Sequence, residues 1–194
     1  MATTSCVRAD CADDDLLRLY GAGDPAAVRM LTDRLAPLAY RVALRMLGDA
    51  FEAEDIAQEA MLRLWRAAPG WQSGGAKVST WLYRVVANLA TDRLRRRRAA
   101  PLADAPDVAD GQQSALAALV ERDRAAALNE ALLRLPERQR QAVVLRHLEG
   151  LGNPEIAEIM EVGVEAVESL TARGRRALAA ALSGRREGLG YEEG

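Results

Sequence analysis

Residues 79–98 read STWLYRVVANLATDRLRRRR, and residues 99–113 read AAPLADAPDVADGQQ. The first stretch sets Leu82, Val85, Val86 and Leu89 on one face at steps of one, three and four, which is the period of an α-helix. The second has two prolines, three aspartates and no bulky apolar pattern, so it reads as a flexible acidic linker. Together they mark the end of one helical unit and its separation from the next.

Working upstream, Asp24-Pro25 reads as an N-cap followed by a first-turn proline. Pro37 is expected to break or restart that helix. Gly48-Asp49 reads as an end, with Gly48 suited to the left-handed C-cap. A long helix is predicted over about 52–68, stopped by Pro69, and residues 69–77 (PGWQSGGAK) form a glycine-rich loop. Ser79 is the expected N-cap of the helix quoted above. Downstream, helical pieces are predicted over 114–134, 136–148, 154–160 and 164–182, with turns at 150–153 and 161–163 and with Asn153 as an N-cap before Pro154. No internal repeat or strand-period stretch is present. The expected fold class is all-α, two small helical domains joined by a flexible acidic linker, the C-terminal one with a helix-turn-helix. Their expected bounds are 14–98 and 114–182, with the linker at 99–113 and short tails at 1–13 and 183–194.

Composition agrees with helices. Apolar residues make up 49% of the 194 and aromatics 4%, and Ala, Leu and Arg dominate. No apolar run reaches bilayer length, and the acidic start lacks the pattern of a secretion signal, so a cytoplasmic location is expected. Cys6 and Cys11 read as two free thiols on a loose tail in a reducing compartment, with too few neighbouring ligands for a metal site. The net charge is −2, which argues against strong DNA binding, but residues 61–98 carry nine basic and one acidic side chain. A localised basic segment in an acidic chain points to weak DNA binding alone and to a partner that supplies the rest.

Three constellations carry the chemistry. On the 52–68 helix, Ile56, Ala57, Ala60, Met61 and Leu64 form an apolar stripe, while Asp55, Gln58 and Glu59 lie on other faces. Such a polar face is either plainly solvated or fixes the orientation of a partner. On the basic helix, Arg84, Asn88, Thr91, Arg95 and Arg98 share a strip, with Trp81 and Tyr83 nearby. The strip is either a solvated helix end balancing the dipole or a track for single-stranded nucleic acid, with arginines on phosphates and aromatics or amides on bases. Near the C-terminus, a short helix with Ile156, Ala157, Ile159 and Met160 inward precedes a longer one with Val164, Val167, Gly174 and Leu178 inward. Its exposed side holds Glu165, Ser169, Ala172, Arg173 and Arg176, with Arg175 beside them. The pair is an ordinary helical hairpin or a helix-turn-helix whose second helix enters the major groove.

The residues Glu54-Asp55-Ile56-Ala57-Gln58-Glu59-Ala60 with Arg63, Leu64 and Trp65, then Trp81-Leu82-Tyr83-Arg84 with Asn88, then the stretch 135–178, resemble in order the functional segments of extracytoplasmic-function sigma factors of the sigma-70 family. The resemblance covers about 14–182. It implies that Asp55, Gln58 and Glu59 contact core RNA polymerase, and that Asn88 helps hold a base extruded from the melted promoter strand beside Arg84, Arg95 and Arg98. It also implies that the loop 71–77 is the specificity loop and that the last helix reads the upstream promoter element as duplex. Arg173 is the candidate base contact there, because Arg forks onto guanine, and Ser169, Arg175 and Arg176 complete the surface. The sequence departs from the family pattern at Glu168 and Leu170, where many members are basic. The partners implied are core polymerase, promoter DNA and an anti-sigma factor.

No phosphate-binding glycine loop, metal-spaced cluster or nucleophile with a base is present, and His147 flanks a helix end. The reading is therefore of a non-enzyme with no cofactor, metal or small-molecule substrate. A sigma-like decoy would not need Asn88 or the arginine run, and a plain helix-turn-helix repressor would leave the N-terminal domain without a purpose.

Overall fold

The computed structural model describes residues 11–72, 74–99 and 116–183. Eight α-helices follow one another among them, with no strand: α1 (Asp13–Gly21), α2 (Pro25–Leu47), α3 (Ala50–Ala67), α4 (Val78–Ala99), α5 (Leu116–Leu133), α6 (Glu137–Val143), α7 (Asn153–Met160) and α8 (Val164–Ser183). The linker expected at 99–113, beyond Ala99, and the outermost tails lie outside the described residues.

Local chemistry sets most boundaries. Asp24 caps α2 by accepting from the Ala26 and Ala27 N–H groups at 2.8 and 3.0 Å, with Pro25 in the first turn. Gly48 ends α2 in the left-handed conformation, φ 72°. Three expectations are corrected. Pro37 does not break α2, which runs through it for 23 residues, because packing on both sides outweighs one lost backbone bond. Asp49 opens α3 rather than closing a helix, since its carboxylate accepts from Glu52 N–H at 3.0 Å. Ser79 is not the cap of α4: the first bond of that helix runs from Trp81 N–H to the Lys77 carbonyl at 3.0 Å. In the second unit Asn153 begins α7 as its first residue, and the Glu155 carboxylate accepts from Gly152 N–H at 3.1 Å. The helix predicted over 136–148 ends in a π turn, Val144–Leu148, closed by Glu149 N–H on the Val144 carbonyl at 3.0 Å.

Helices α1–α4 form the first bundle, with α2 against both α3 and α4, and α6–α8 form the second. The apolar stripes fall where the periods place them. Ile56, Ala57, Ala60 and Leu64 of α3 are buried, as are Ile156, Ala157, Ile159 and Met160 of α7. Val164 is the exception, at 40% exposed. Cys11 is neither a free thiol nor on a loose tail: it is buried and disulfide-bonded, and its carbonyl accepts from Arg34 at 2.8 Å.

The two bundles are not held apart. They share one buried apolar cluster, and α4 packs on α7 while α2 packs on α5 and α6. At the junction the Leu133 side chain sits on Gly48, where a β-carbon would meet Leu133 Cδ1. Arg140 of α6 is 5% exposed and reaches across to donate to the Met46 carbonyl of α2, while also donating to the Leu133 and Leu135 carbonyls at 3.1 and 3.3 Å. Burial pushes its pKa down from the ordinary arginine value, partly offset by Glu137. Three carbonyl acceptors satisfy much of its fork, which is what an interior guanidinium requires.

Candidate polymerase and nucleic-acid interfaces

The first candidate is a groove of about 690 Å³ between α2 and α3, with Tyr20 of α1 at one end. Its floor is apolar, from Ala36, Pro37, Ala57, Met61 and Leu62, and its polar rim is Asp33, Glu54 and Gln58. Pro37, which lines this groove, cannot donate to the carbonyl of Asp33 four residues back, so α2 lacks that one helical bond there. Of the three predicted polymerase residues, Gln58 lines the groove, and its amide donates to Glu54 at 3.4 Å. Asp55 is exposed and does not line it. Glu59 is half-buried and held by Arg63 at 2.8 Å, a contact that lowers its pKa from the ordinary carboxylate value. Sequence reasoning missed Glu54, Asp33 and Tyr40 as groove residues. The i, i+4, i+8 spacing of Glu54, Gln58 and Leu62 was a usable signal, but only the packing of α2 supplies the opposite wall.

The second is the basic strip of α4. Arg84 donates to the Glu158 carbonyl and carboxylate of α7 at 3.0 and 3.1 Å. Arg98 lies 3.2 Å from the Glu137 carboxylate of α6, and Arg95 pairs with Asp92 at 3.0 Å. Asn88 is exposed at the edge of a cavity of about 180 Å³ that it shares with Thr91 and with Glu137, Arg138 and Gln141 of α6. Four of the five residues of the strip, Arg84, Asn88, Thr91 and Arg98, therefore face the second bundle. Tyr83, by contrast, offers no open face for a base: it is 5% exposed and donates to Glu149 at 3.0 Å. Burial, reinforced by the Glu149 charge, pushes its phenol above the ordinary value. Trp81 is half-buried edge-on against Trp71, ring centroids 6.1 Å apart.

The third is the outer face of α8. Ser169, Arg173, Arg175 and Arg176 are all exposed, and Arg173 Nε donates to the Ser169 carbonyl at 3.2 Å. The inner face is fixed by Val167 and Gly174, which are buried, with α6 behind them. Glu168 accepts from Asn153 Nδ2 at 3.4 Å, across the turn from α7. Leu170 is half-buried and packs on the core, so a basic residue there would have to leave that packing. Among the described residues no three His, Cys, Asp or Glu side chains are grouped to hold a metal, and no helix is long and apolar enough to cross a membrane.

Two family models match the chain, Sigma-70 region 2 over residues 31–100 and Sigma-70 region 4 over residues 125–178. Among curated proteins, the ECF RNA polymerase sigma factor SigW of Bacillus subtilis is 34% identical over 168 residues, 80% of this chain and 89% of SigW. SigM of Mycobacterium tuberculosis is 36% identical over 175 residues, 89% of this chain and 85% of SigM. The chain belongs to the extracytoplasmic-function group of the sigma-70 family. In the sigma factor, α2–α4 thus form region 2 and α5–α8 form region 4. Its fold matches CnrH in complex with the cytosolic domain of CnrY, with a TM-score of 0.66, 25% identity and coverage of 89% of this chain and 97% of CnrH. RpoE in complex with the anti-sigma factor NepR from Bartonella quintana matches at the same TM-score with 19% identity, a likeness of fold.

Proposed function

We propose that this sigma factor works as a three-contact adaptor that directs core RNA polymerase to promoters in the cytoplasm, without catalysis of its own. Region 2 spans 14–98 and region 4 spans 114–182, joined by the acidic stretch 99–113. The groove between α2 and α3, with Asp55, Gln58 and Glu59 on and beside it, docks on a helical element of the polymerase. An apolar floor rimmed by Asp33, Glu54 and Gln58 suits an amphipathic helix with basic flanks. The exposed face of α8 reads the upstream element as duplex, with Arg173 on a base and Arg175 and Arg176 on phosphates. The α4 strip, with Arg84, Asn88, Arg95 and Arg98, takes the melted strand, Asn88 offering an amide to a base edge. An anti-sigma factor controls the chain by covering these surfaces; the likeness of fold to RpoE, solved in complex with the anti-sigma factor NepR, supports such a partner.

The observation that carries this reading is the order of the parts: a region 2 with a groove and a basic strip, then a region 4 with an exposed arginine-bearing second helix. The test is run-off transcription from genomic fragments with purified core polymerase. Promoter-dependent products are expected; none, from a folded and polymerase-bound factor, sinks the reading.

A further inference from the structure

We propose that α1 positions the loop before α4: Asp14 holds Trp71 and Trp71 holds Trp81, so that the loop keeps one shape when it meets the melted strand. The inference rests on the reading of this loop and α4 as the strand-capturing part. It gives a role to a helix that lies upstream of the matched region 2 span, which begins at residue 31.

Three acids, Asp13, Asp14 and Asp15, open α1. The helix dipole alone favours carboxylates there, so their presence says little, and the partner each one takes says more. Asp15 pairs with Arg18 inside the helix. Asp13 accepts from Arg34 of α2 at 2.9 Å, and the same guanidinium donates to the Cys11 carbonyl. Asp14 takes a residue 57 positions away: its carboxylate accepts from Trp71 Nε1 at 3.3 Å. Both side chains are half-buried. An indole N–H donates and cannot accept, so a packed tryptophan needs an acceptor at a fixed place.

The helix that offers this acceptor is itself anchored. Leu16 and Leu17 are fully buried, and Arg34 ties the start of α1 to α2. At its other end Gly21 lies on the 3₁₀ turn Ala68–Gly70, where a β-carbon would stand 3.2 Å from the Ala68 backbone. So α1 runs beside the segment that leads into the loop and meets it twice, at Ala68 and at Trp71.

Trp71 and Trp81 bracket the loop. Their rings meet edge to face, centroids 6.1 Å apart at 88°, a favoured aromatic geometry. Trp81 also closes the first turn of α4 on the Lys77 carbonyl, and Val78 beside it is buried. Between the two rings Gln72 and residues 74–77 are exposed. The loop thus leaves and returns at an aromatic clasp whose first ring is oriented by Asp14. On α4, Trp81 and Asn88 stand at i and i+7, on one face of the helix. Exposed reading residues depend on the packed groups behind them for their geometry, and here those groups are the two rings and one carboxylate.

The test uses the full-length chain as holoenzyme with core polymerase, on a promoter recovered by run-off transcription and randomised in its downstream element. Transcript sequencing gives the discrimination between preferred and disfavoured downstream bases. Asp14→Ala removes the acceptor, and Trp71→Phe removes the donor while keeping an aromatic ring. Each is expected to lower that discrimination about tenfold, the size of one lost hydrogen bond to a charged group. Asp14→Asn keeps a side-chain oxygen and is expected to stay close to the parent. The double variant Asp14→Ala, Trp71→Phe is expected to do no worse than either single, as residues acting through one contact do. Polymerase binding and upstream-element preference are expected to hold. In the free chain, the Trp71 indole N–H resonance, assigned by its loss in Trp71→Phe, is expected to exchange with solvent faster in Asp14→Ala. Where circular dichroism shows that Asp14→Ala loses helix, Trp71→Phe, which leaves α1 untouched, decides. The proposal is overturned by additive losses, by equal losses in upstream preference and polymerase binding, by an indole that exchanges equally fast in both chains, or by a parent with no downstream base preference. Equal discrimination in parent and variants removes the clasp alone, whereas no promoter-dependent product from any of them removes the sigma reading and the clasp with it.

Discussion

Gly174 lies in the interior of α8, where the helix crosses α6, and alanine there sets two known effects against each other. In an exposed helix interior, Gly→Ala is worth about 0.8–1.0 kcal/mol in favour of the folded state. Here the added methyl would stand 2.5 Å from Val143 Cγ2, 3.2 Å from the Gln139 carbonyl oxygen and 3.4 Å from Gln139 Cβ. Val143 is 2% exposed and closely packed, so its methyl must move by about an ångström, and the Gln139 backbone cannot yield without shifting α6. Overpacking of this kind costs about 1–3 kcal/mol, so the clash exceeds the propensity gain. Gly174→Ala is therefore expected to destabilise by about 1 kcal/mol. Urea denaturation followed by circular dichroism reads this as a lower midpoint at unchanged slope. The double variant Val143→Ala, Gly174→Ala tells the mechanism: the new methyl fills the space that Val143 vacates, so the pair is less destabilised than the sum of the singles, by ~1 kcal/mol. Stabilisation by Gly174→Ala, or strict additivity in the double variant, would refute the packing argument. Because α8 carries Arg173, the same variant should also weaken duplex promoter binding by the holoenzyme.

Three further outcomes are expected. Arg173→Ala should relax preference at one base pair of the upstream element by about 1–3 kcal/mol, whereas Arg175→Ala should weaken all sequences alike; selection from a randomised promoter library separates the two. Asn88→Ala should impair promoter opening, read by permanganate footprinting, while leaving polymerase binding intact; equal loss of both would make Asn88 a structural residue. The Glu155 carboxyl is held below the ordinary carboxylate value, first by the Gly152 N–H and then by Lys77. A depressed folded value means that its contribution to the α7 start is present above the ordinary carboxylate pKa and is lost as pH falls through the folded one. In an NMR titration Lys77→Ala should raise that pKa part of the way, leaving it depressed by the capping bond, and no change would mean that the Lys77 contact is absent in solution.

Much of the helical framework was legible because it is written in local chemistry. The acceptor of Asp24, the left-handed freedom of Gly48 and the inward set of α7 act within a few residues of themselves, and all stand where the pattern puts them. The errors were also instructive. Pro37 looks like a stop, yet tertiary packing carries α2 through it, and its ring lines a groove. Tyr83 looks like a platform for a base, and it is buried against a carboxylate 66 residues away.

What the sequence by itself determined is therefore the list of parts: all-α units, a polar helix face, a basic strip and a second helix with arginines outward. These follow from hydrophobic period, caps and charge runs, which are properties of one segment at a time. Only the tertiary structure decided how the parts meet. Arg41 and Glu149 are 108 residues apart, and Arg140 reaches a carbonyl 94 residues away. No period or propensity relates such positions, because the free energy that joins them arises when two bundles bury a common apolar cluster and force the charges between them to pair. The basic strip that reads as an open surface in the sequence is, in the folded chain, already holding the carboxylates of its own second domain.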